Sequence, residues 1–328
     1  MLIITKSDHS GVPIDLWFET CKKSDSATFF HTPLWIGLFT NKLEDGFQKI
    51  LFSDGKFAVL PLVCNKYLKG LANIYLSSPA GTFGGWVTTD TLTSQHYELL
   101  IKYMNHFGDL VWRENPYDSQ LKKYDFPNAN EDFTYAINLE NGYDHVWKTS
   151  DYAHKKAYRL AEKSGIVVSA SEDPSDWEKY YHMYEKSVSR WKDRMLFSGV
   201  YYDFAFINKI RNIEVPFRKL WLAKYEGEPI SGIICFYWNK HAVAWHGAGL
   251  KEYFNLRPNN LLYATAMKDA AEKGFSWFDC NPSGGLEGVK KFKMNLGAQE
   301  LRSRVVQKVS PLRKGISRLR NLIKKTKP

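Results

Sequence analysis

Apolar positions along residues 166–309 switch between a spacing of two and a spacing of three to four, which predicts strands alternating with helices. An apolar run at 166–171 predicts a strand, and helical spacing over 175–191 and 203–212 predicts two helices. Strands follow at 219–225, 230–238 and 241–247. They are joined by hairpin turns at Glu226-Gly227-Glu228-Pro229 and Asn239-Lys240. A helix over 259–273 stops at Gly274, a residue type suited to the position just past a helix end. A strand at 276–281, a helix at 286–295 and a strand at 301–309 complete the order β-α-α-β-β-β-α-β-α-β.

Residues 1–140 give much of the same order. Strands are expected at 2–4, 73–77, 109–113 and 133–139, and helices at 14–23, 34–42 and 92–107. A hairpin over 47–64 turns on Asp54-Gly55. No residue-level repeat accompanies the repeated order, a pattern that fits a duplicated domain. A helix over 152–163 (YAHKKAYRLAEK) leads into the second copy. The expectation is an α/β chain of the α+β kind, with mixed central sheets flanked by helices. It divides into a domain at 1–147, a domain at 148–310 and a tail at 311–328. A length of 328 residues suits two domains at roughly 150 residues each.

Charge changes the picture at one end only. Residues 301–328 hold ten Lys and Arg and no Asp or Glu, so the rest of the chain is neutral and the whole net charge of +10 sits in this stretch. Val305, Val309, Leu312, Ile316, Leu319 and Ile323 recur at spacings of four and three, and Ser310-Pro311 is a good helix start. A basic amphipathic helix is expected there. It suits an anionic membrane surface, an acidic partner or RNA phosphates, or docks on the body with its lysines solvated.

The longest near-apolar run, Ile230 to Trp238, is far short of the about 20 residues of a membrane span. The N-terminal stretch lacks the charged and apolar regions of a signal peptide. Cys21, Cys64, Cys235 and Cys280 form no CxxC pair and read as buried free thiols, so a reducing cytoplasm is expected. The nine histidines show no metal-ligand spacing, and no HExxH, nucleophile elbow or Walker loop is present. No metal is expected.

Residues 278–298, FDCNPSGGLEGVKKFKMNLGA, place a strand ending in Asp before a Gly-rich loop, a Phe-Lys pair and a nearby Gly. With YFNLRPNNLL at 253–262, KAYRLAEKSGIVV at 156–168 and FFHTPLWIGLF at 29–39, this resembles the FemABX-like transferases, which have a tandem-GNAT architecture. The resemblance covers nearly all of 1–309. It implies two tandem GNAT-like acyl-N-acyltransferase domains and an enzyme that forms an amide by moving an acyl group to an amine. In the best-known members the donor is aminoacyl-tRNA and the acceptor a peptidoglycan precursor.

Such chemistry needs a deprotonated amine and stabilisation of a tetrahedral oxyanion. Lys293 falls on the lysine of the family's Phe-Lys pair, which implies a role at the oxyanion or at an acceptor phosphate; Phe292 and Lys290 stand beside it. Ser283, Gly284 and Gly285 form a loop between a strand end and a helix start, where ligands approach backbone closely. Asp279 and His246 are candidate proton acceptors. Arg257 and Asn259 lie in the loop ahead of the 259–273 helix. Acyl-CoA-binding GNAT domains generally carry a glycine-rich pyrophosphate loop there. This one has no glycine, and Pro258 removes a donor, which weighs against CoA. Trp191, Tyr201 and Tyr202 are candidates to stack on a sugar or base.

The expected function is therefore amide-forming acyl transfer, in the cytoplasm or on the inner membrane face, with no bound cofactor. The donor is aminoacyl-tRNA or acyl-CoA, the former favoured. The acceptor is an amine on a lipid-linked or nucleotide-linked glycan or other envelope precursor. An acyl-CoA-dependent N-acyltransferase acting on a sugar or amino acid, and an inactive RNA- or glycan-binding module, remain open.

Overall fold

A computed structural model describes residues 2–8, 13–67, 72–77, 79–193, 200–311 and 313. The elements up to residue 132 are β1 (Ile4–Asp8), α1 (Ile14–Lys23), α2 (Pro33–Ile36), β2 (Phe47–Phe52), β3 (Phe57–Pro61), β4 (Val63–Tyr67), β5 (Ala72–Leu76), α3 (Ser94–Met104), β6 (Leu110–Arg113) and β7 (Ala129–Asn130). Next come β8 (Phe133–Asn138), α4 (Gly142–Thr149), α5 (Tyr152–Lys163), β9 (Val167–Ser171), α6 (Pro174–Asp193), α7 (Phe204–Arg211), β10 (Arg218–Tyr225), β11 (Glu228–Trp238) and β12 (His241–Gly249). The last are α8 (Pro258–Glu272), β13 (Trp277–Pro282), α9 (Glu287–Asn295), β14 (Gln299–Arg302) and β15 (Val305–Lys308). The chain divides into two units, residues 1–132 with 302–328, and residues 133–301.

In the first unit β1-β2-β3 form one sheet and β4-β5-β6-β15-β7 another. Ile50, Phe52, Leu60, Leu100, Trp112 and Val306 share its core. In the second unit one sheet runs β14-β8-β13-β12-β11-β10-β9. In each unit a helix links two parallel neighbours, α3 between β5 and β6 and α8 between β12 and β13. This β-α-β crossover is the part of the expected repeat that both units contain.

Local signals set the ends of these elements. The Asp151 carboxylate accepts from the Ala153 N–H at 2.6 Å to start α5, and the Asp203 carboxylate accepts from the Phe206 N–H at 2.8 Å to start α7. The β10–β11 turn has positive φ at both Glu226 and Gly227, the geometry a two-residue hairpin needs. Side chains on β11 alternate between two faces. A Cβ on Gly232 would meet Tyr180 of α6, while the adjacent Ile233 shares a core with Leu262 and Met267 of α8. The two helices therefore cover opposite faces of the sheet.

Three expectations change. Phe133–Asn138 forms the expected strand but pairs with β13, so the second unit begins at 133 rather than 148. The strand expected at 301–309 breaks at Ser303-Arg304, and its second half, β15, pairs with β6 and β7 of the first unit. The break is where the Arg304 guanidinium, buried, makes a two-bond pair with the Glu114 carboxylate at 2.7 and 2.9 Å. The helix expected over 34–42 is one turn, since Gly37 and Thr40-Asn41 supply no helix-forming run. The basic helix expected at 311–328 falls almost wholly outside the described residues.

Candidate active site

Strand β12 carries a bulge. Ile234 faces His246 and Cys235 faces Ala244, so Trp245 is an extra residue in the ladder. On its other edge β12 pairs with β13 through His241, Ala242 and Val243. Beyond them the strands part. Asn281, held at φ 62°, reaches back across the gap and donates from its side-chain amide to Trp245 O at 2.9 Å and Ala244 O at 3.2 Å. A bulge beside two diverging strands leaves backbone groups off the ladder, a common device at active sites.

Five sequence candidates, Asp279, Ser283, Gly284, Gly285 and Lys293, lie where β13 ends. Asp279 is wholly buried, and its Oδ1 accepts from the Thr134 hydroxyl at 2.5 Å and the Asn281 N–H at 2.7 Å. Lys293 is 5% exposed, and its ammonium donates to Asn281 O at 2.7 Å and Pro282 O at 3.0 Å and lies 5.6 Å from the centre of the Tyr135 ring. Both charges therefore grip the backbone of the loop that opens the gap. Asp279 has no surface on which to meet a substrate amine, so its expected role as base gives way to one in loop geometry. Ser283 follows in a turn closed by Leu286 N–H to Ser283 O, and Gly284 and Gly285 both have positive φ.

His246 follows the bulge residue on the α6 face. Its Nδ1 is 2.6 Å from the Tyr180 hydroxyl, which also lies 3.1 Å from the His246 carbonyl oxygen. A carbonyl can only accept. Both contacts are made when the phenol donates to the carbonyl and Nδ1–H donates to the phenol oxygen. That tautomer leaves a lone pair on Nε2, which has no hydrogen-bond partner among the described residues. Burial lowers the imidazole to about 4, so it is neutral at pH 7. The rings of Tyr184 (4.6 Å), Trp245 (5.1 Å) and Tyr202 (5.9 Å) surround it.

The remaining candidates lie elsewhere. Arg257 is exposed in a left-handed conformation ahead of Pro258, without a side-chain partner among the described residues. Asn259 Oδ1 accepts from the Ser231 hydroxyl at 2.5 Å, a bond within the fold. Lys290 pairs with Glu300 at 2.6 Å. Phe292 packs its ring against Tyr263. Trp191 sits near the end of α6, and Tyr201 stacks on Tyr184. A cavity of about 690 Å³ in the first unit, lined by Phe39, Asp45, Phe47, Cys64, Lys66 and Tyr75 among others, holds none of the candidates. The sequence reading missed Tyr180, Trp245, Tyr263 and Asn281. The Tyr180/Tyr184 stripe on α6 was legible, but the bulge was not.

Residues 150–294 match the family model of the acetyltransferase (GNAT) domain. The second unit is a GNAT domain. The chain is accordingly an acyltransferase of that type. The GNAT unit and the rest of the chain together resemble a crystal structure of FemX at TM-score 0.66 and 13% identity, over 92% of this chain and 97% of that one. They also resemble the C-terminal domain of a lysylphosphatidylglycerol synthetase described as putative, from Agrobacterium fabrum (0.54; 9%; 90% and 91%). The L-PGS of Bacillus licheniformis is similar too (0.51; 11%; 95% and 96%). At these identities the likeness is one of fold. No curated protein matches. Among the described residues no side-chain group could hold a metal ion, and no helix is long and apolar enough to cross a membrane.

Proposed function

We propose that this acyltransferase moves an aminoacyl group from aminoacyl-tRNA to an amine of a cell-envelope component. The observation that carries the acid–base part is the Nε2 lone pair of His246, fixed by Tyr180 beside the bulge. The acceptor nitrogen attacks the donor's ester carbonyl, a C–N bond forms and the C–O bond to the tRNA ribose breaks. His246 takes the nitrogen's proton and passes it to the leaving oxygen. Lys293, Asp279 and Asn281 hold the loop that parts β13 from β12.

The start of α8 supports aminoacyl-tRNA over acyl-CoA as the donor. Its entry loop has no glycine, Arg257 caps it in a left-handed turn, and Pro258 occupies the first helical position, so it offers few N–H groups to a pyrophosphate. The resemblance to FemABX-like transferases, and similarity in fold to a protein named for lysylphosphatidylglycerol synthesis, favour an envelope acceptor. The six basic residues of 314–328 would draw the enzyme to an anionic surface.

The test is transfer of labelled amino acid from charged tRNA to a nucleotide-linked muropeptide that carries a free amine, with acetyl-CoA as the competing donor. Transfer from charged tRNA is expected. Transfer from acetyl-CoA alone would reassign the donor, and transfer from neither would remove the catalytic reading.

A further inference from the structure

Of the phenols around His246, those of Tyr180, Tyr181, Tyr184 and Tyr201 have partners, and that of Tyr202 has none among the described residues. Tyr180 bonds His246, the Tyr181 and Tyr201 hydroxyls bond each other, and the Tyr184 hydroxyl accepts from the Tyr202 N–H. Tyr263 sits in the second turn of α8 with its ring edge-on to Phe278 of β13, at 6.3 Å, and to Phe292 of α9, at 5.3 Å. Its hydroxyl has no hydrogen-bond partner among the described residues. A part-buried hydroxyl without a protein partner asks for one from outside.

The hydroxyl faces β12. It is 3.9 Å from the point a Cβ on Gly247 would occupy. Gly247 follows His246 and lies two residues past the bulge residue, beyond the last β12–β13 pair. Its φ is not positive, so the backbone does not require glycine there. A Cβ there would stand 3.3 Å from Ile233 Cγ2 and 3.7 Å from Gly232 O, so the glycine keeps the strand surface between Ile233 and the Tyr263 hydroxyl clear of a side chain, as where a ligand approaches a backbone closely. Gly247 and His246 are adjacent on a strand and face opposite sides, so a group lying over the parted edge meets the imidazole from one side and the phenol from the other.

We propose that the Tyr263 hydroxyl donates a hydrogen bond to the carbonyl oxygen of the transferred acyl group, which lies over Gly247 where β12 parts from β13. The inference rests on the acyl-transfer reading above. When the amine nitrogen attacks, the carbonyl's π pair moves onto this oxygen, and the Tyr263 O–H stabilises it. The pair then returns and the leaving oxygen departs with the proton carried by His246. Burial raises the phenol's pKa, so Tyr263 keeps its proton and acts as a donor, not as a base.

The experiment follows hydroxamate formation from hydroxylamine, a small surrogate amine, above the uncatalysed rate. Unfractionated aminoacyl-tRNA and acetyl-CoA serve as donors, and the wild type is compared with Y263F. Phenylalanine keeps both ring contacts. The expected result is a kcat lower by about 10²-fold, the effect of removing one oxyanion donor, with KM for the donor within about twofold. The melting temperature of Y263F is expected to equal that of the wild type, because no protein hydrogen bond is lost. A wild type that accelerates the reaction while Y263F retains its kcat overturns this inference alone. A lower melting temperature would show that the hydroxyl has a protein partner and would also overturn it. A wild type inactive with both donors removes the acyl-transfer reading and the inference together.

Discussion

The Tyr180 hydroxyl touches His246 twice, at Nδ1 and at its own carbonyl oxygen. One side chain on α6 thereby sets both the tautomer of the imidazole and the path of the bulged strand. Y180F should lower kcat and cost about 1–3 kcal/mol, because it strands the His246 Nδ1 and carbonyl oxygen, and H246Q should lower kcat by about 10²-fold. Steady-state kinetics of the two variants and their double mutant check this. Effects that multiply would show that the two residues act independently.

Gly232 controls the same contact from β11. A Cβ there would stand 2.8 Å from Tyr180 Cδ2, 2.8 Å from Leu222 Cδ2 and 3.1 Å from Trp221 O. G232A should cost about 1–3 kcal/mol by overpacking and should lower kcat as well, because Tyr180 must move. Urea unfolding and kinetics on one preparation would separate the two effects.

Lys293 should prove structural as much as catalytic. K293M leaves the carbonyls of Asn281 and Pro282 without their buried donor, at a cost of about 1–3 kcal/mol. K293R should not restore the wild type, since a planar guanidinium cannot take the ammonium's place between two carbonyls. Thermal denaturation reads both.

Acid should weaken the fold before most carboxylates titrate. Burial lowers His31, His154 and His246 to about 4, from an ordinary 6.5. Between those values the unfolded chain binds protons that the folded chain refuses, so stability is full above pH 6.5 and falls as pH drops toward 4. Urea midpoints across pH 4–8 should show this, with a smaller slope in H246Q.

In the first unit, Arg304 and Glu114 are both buried, and the guanidinium also donates to the carbonyls of Tyr124 and Leu121. Removing one partner strands the other. R304M should cost about 3–5 kcal/mol, and R304M/E114Q less than the sum of its singles. Denaturant titration of the three variants decides it.

Periodicity was sufficient for elements whose partners are near in sequence. The strands of β10, β11 and β12 and the helices α5 and α8 lie within a few residues of their expected bounds, because local alternation and turn chemistry specify them. What could not be read is what depends on distant partners. Nothing local to Asp279 points to Thr134, 145 residues away, and nothing local to Phe133–Asn138 says that its strand pairs with β13. The bulge is a matter of register between two strands that look regular alone. Lys293 was identified through resemblance, yet its partners are carbonyls, which leave no trace in side-chain identity.

The strand β15 has a consequence for how the protein is made. Its pairing with β6 and β7 closes a sheet whose other strands were translated some two hundred residues earlier. On the ribosome, residues 133–301 can assemble their sheet while the first unit still lacks its inner strand. The nascent first unit must therefore hold the unpaired edges of β6 and β7 in reserve, exposed to other chains, until Val305–Lys308 emerges.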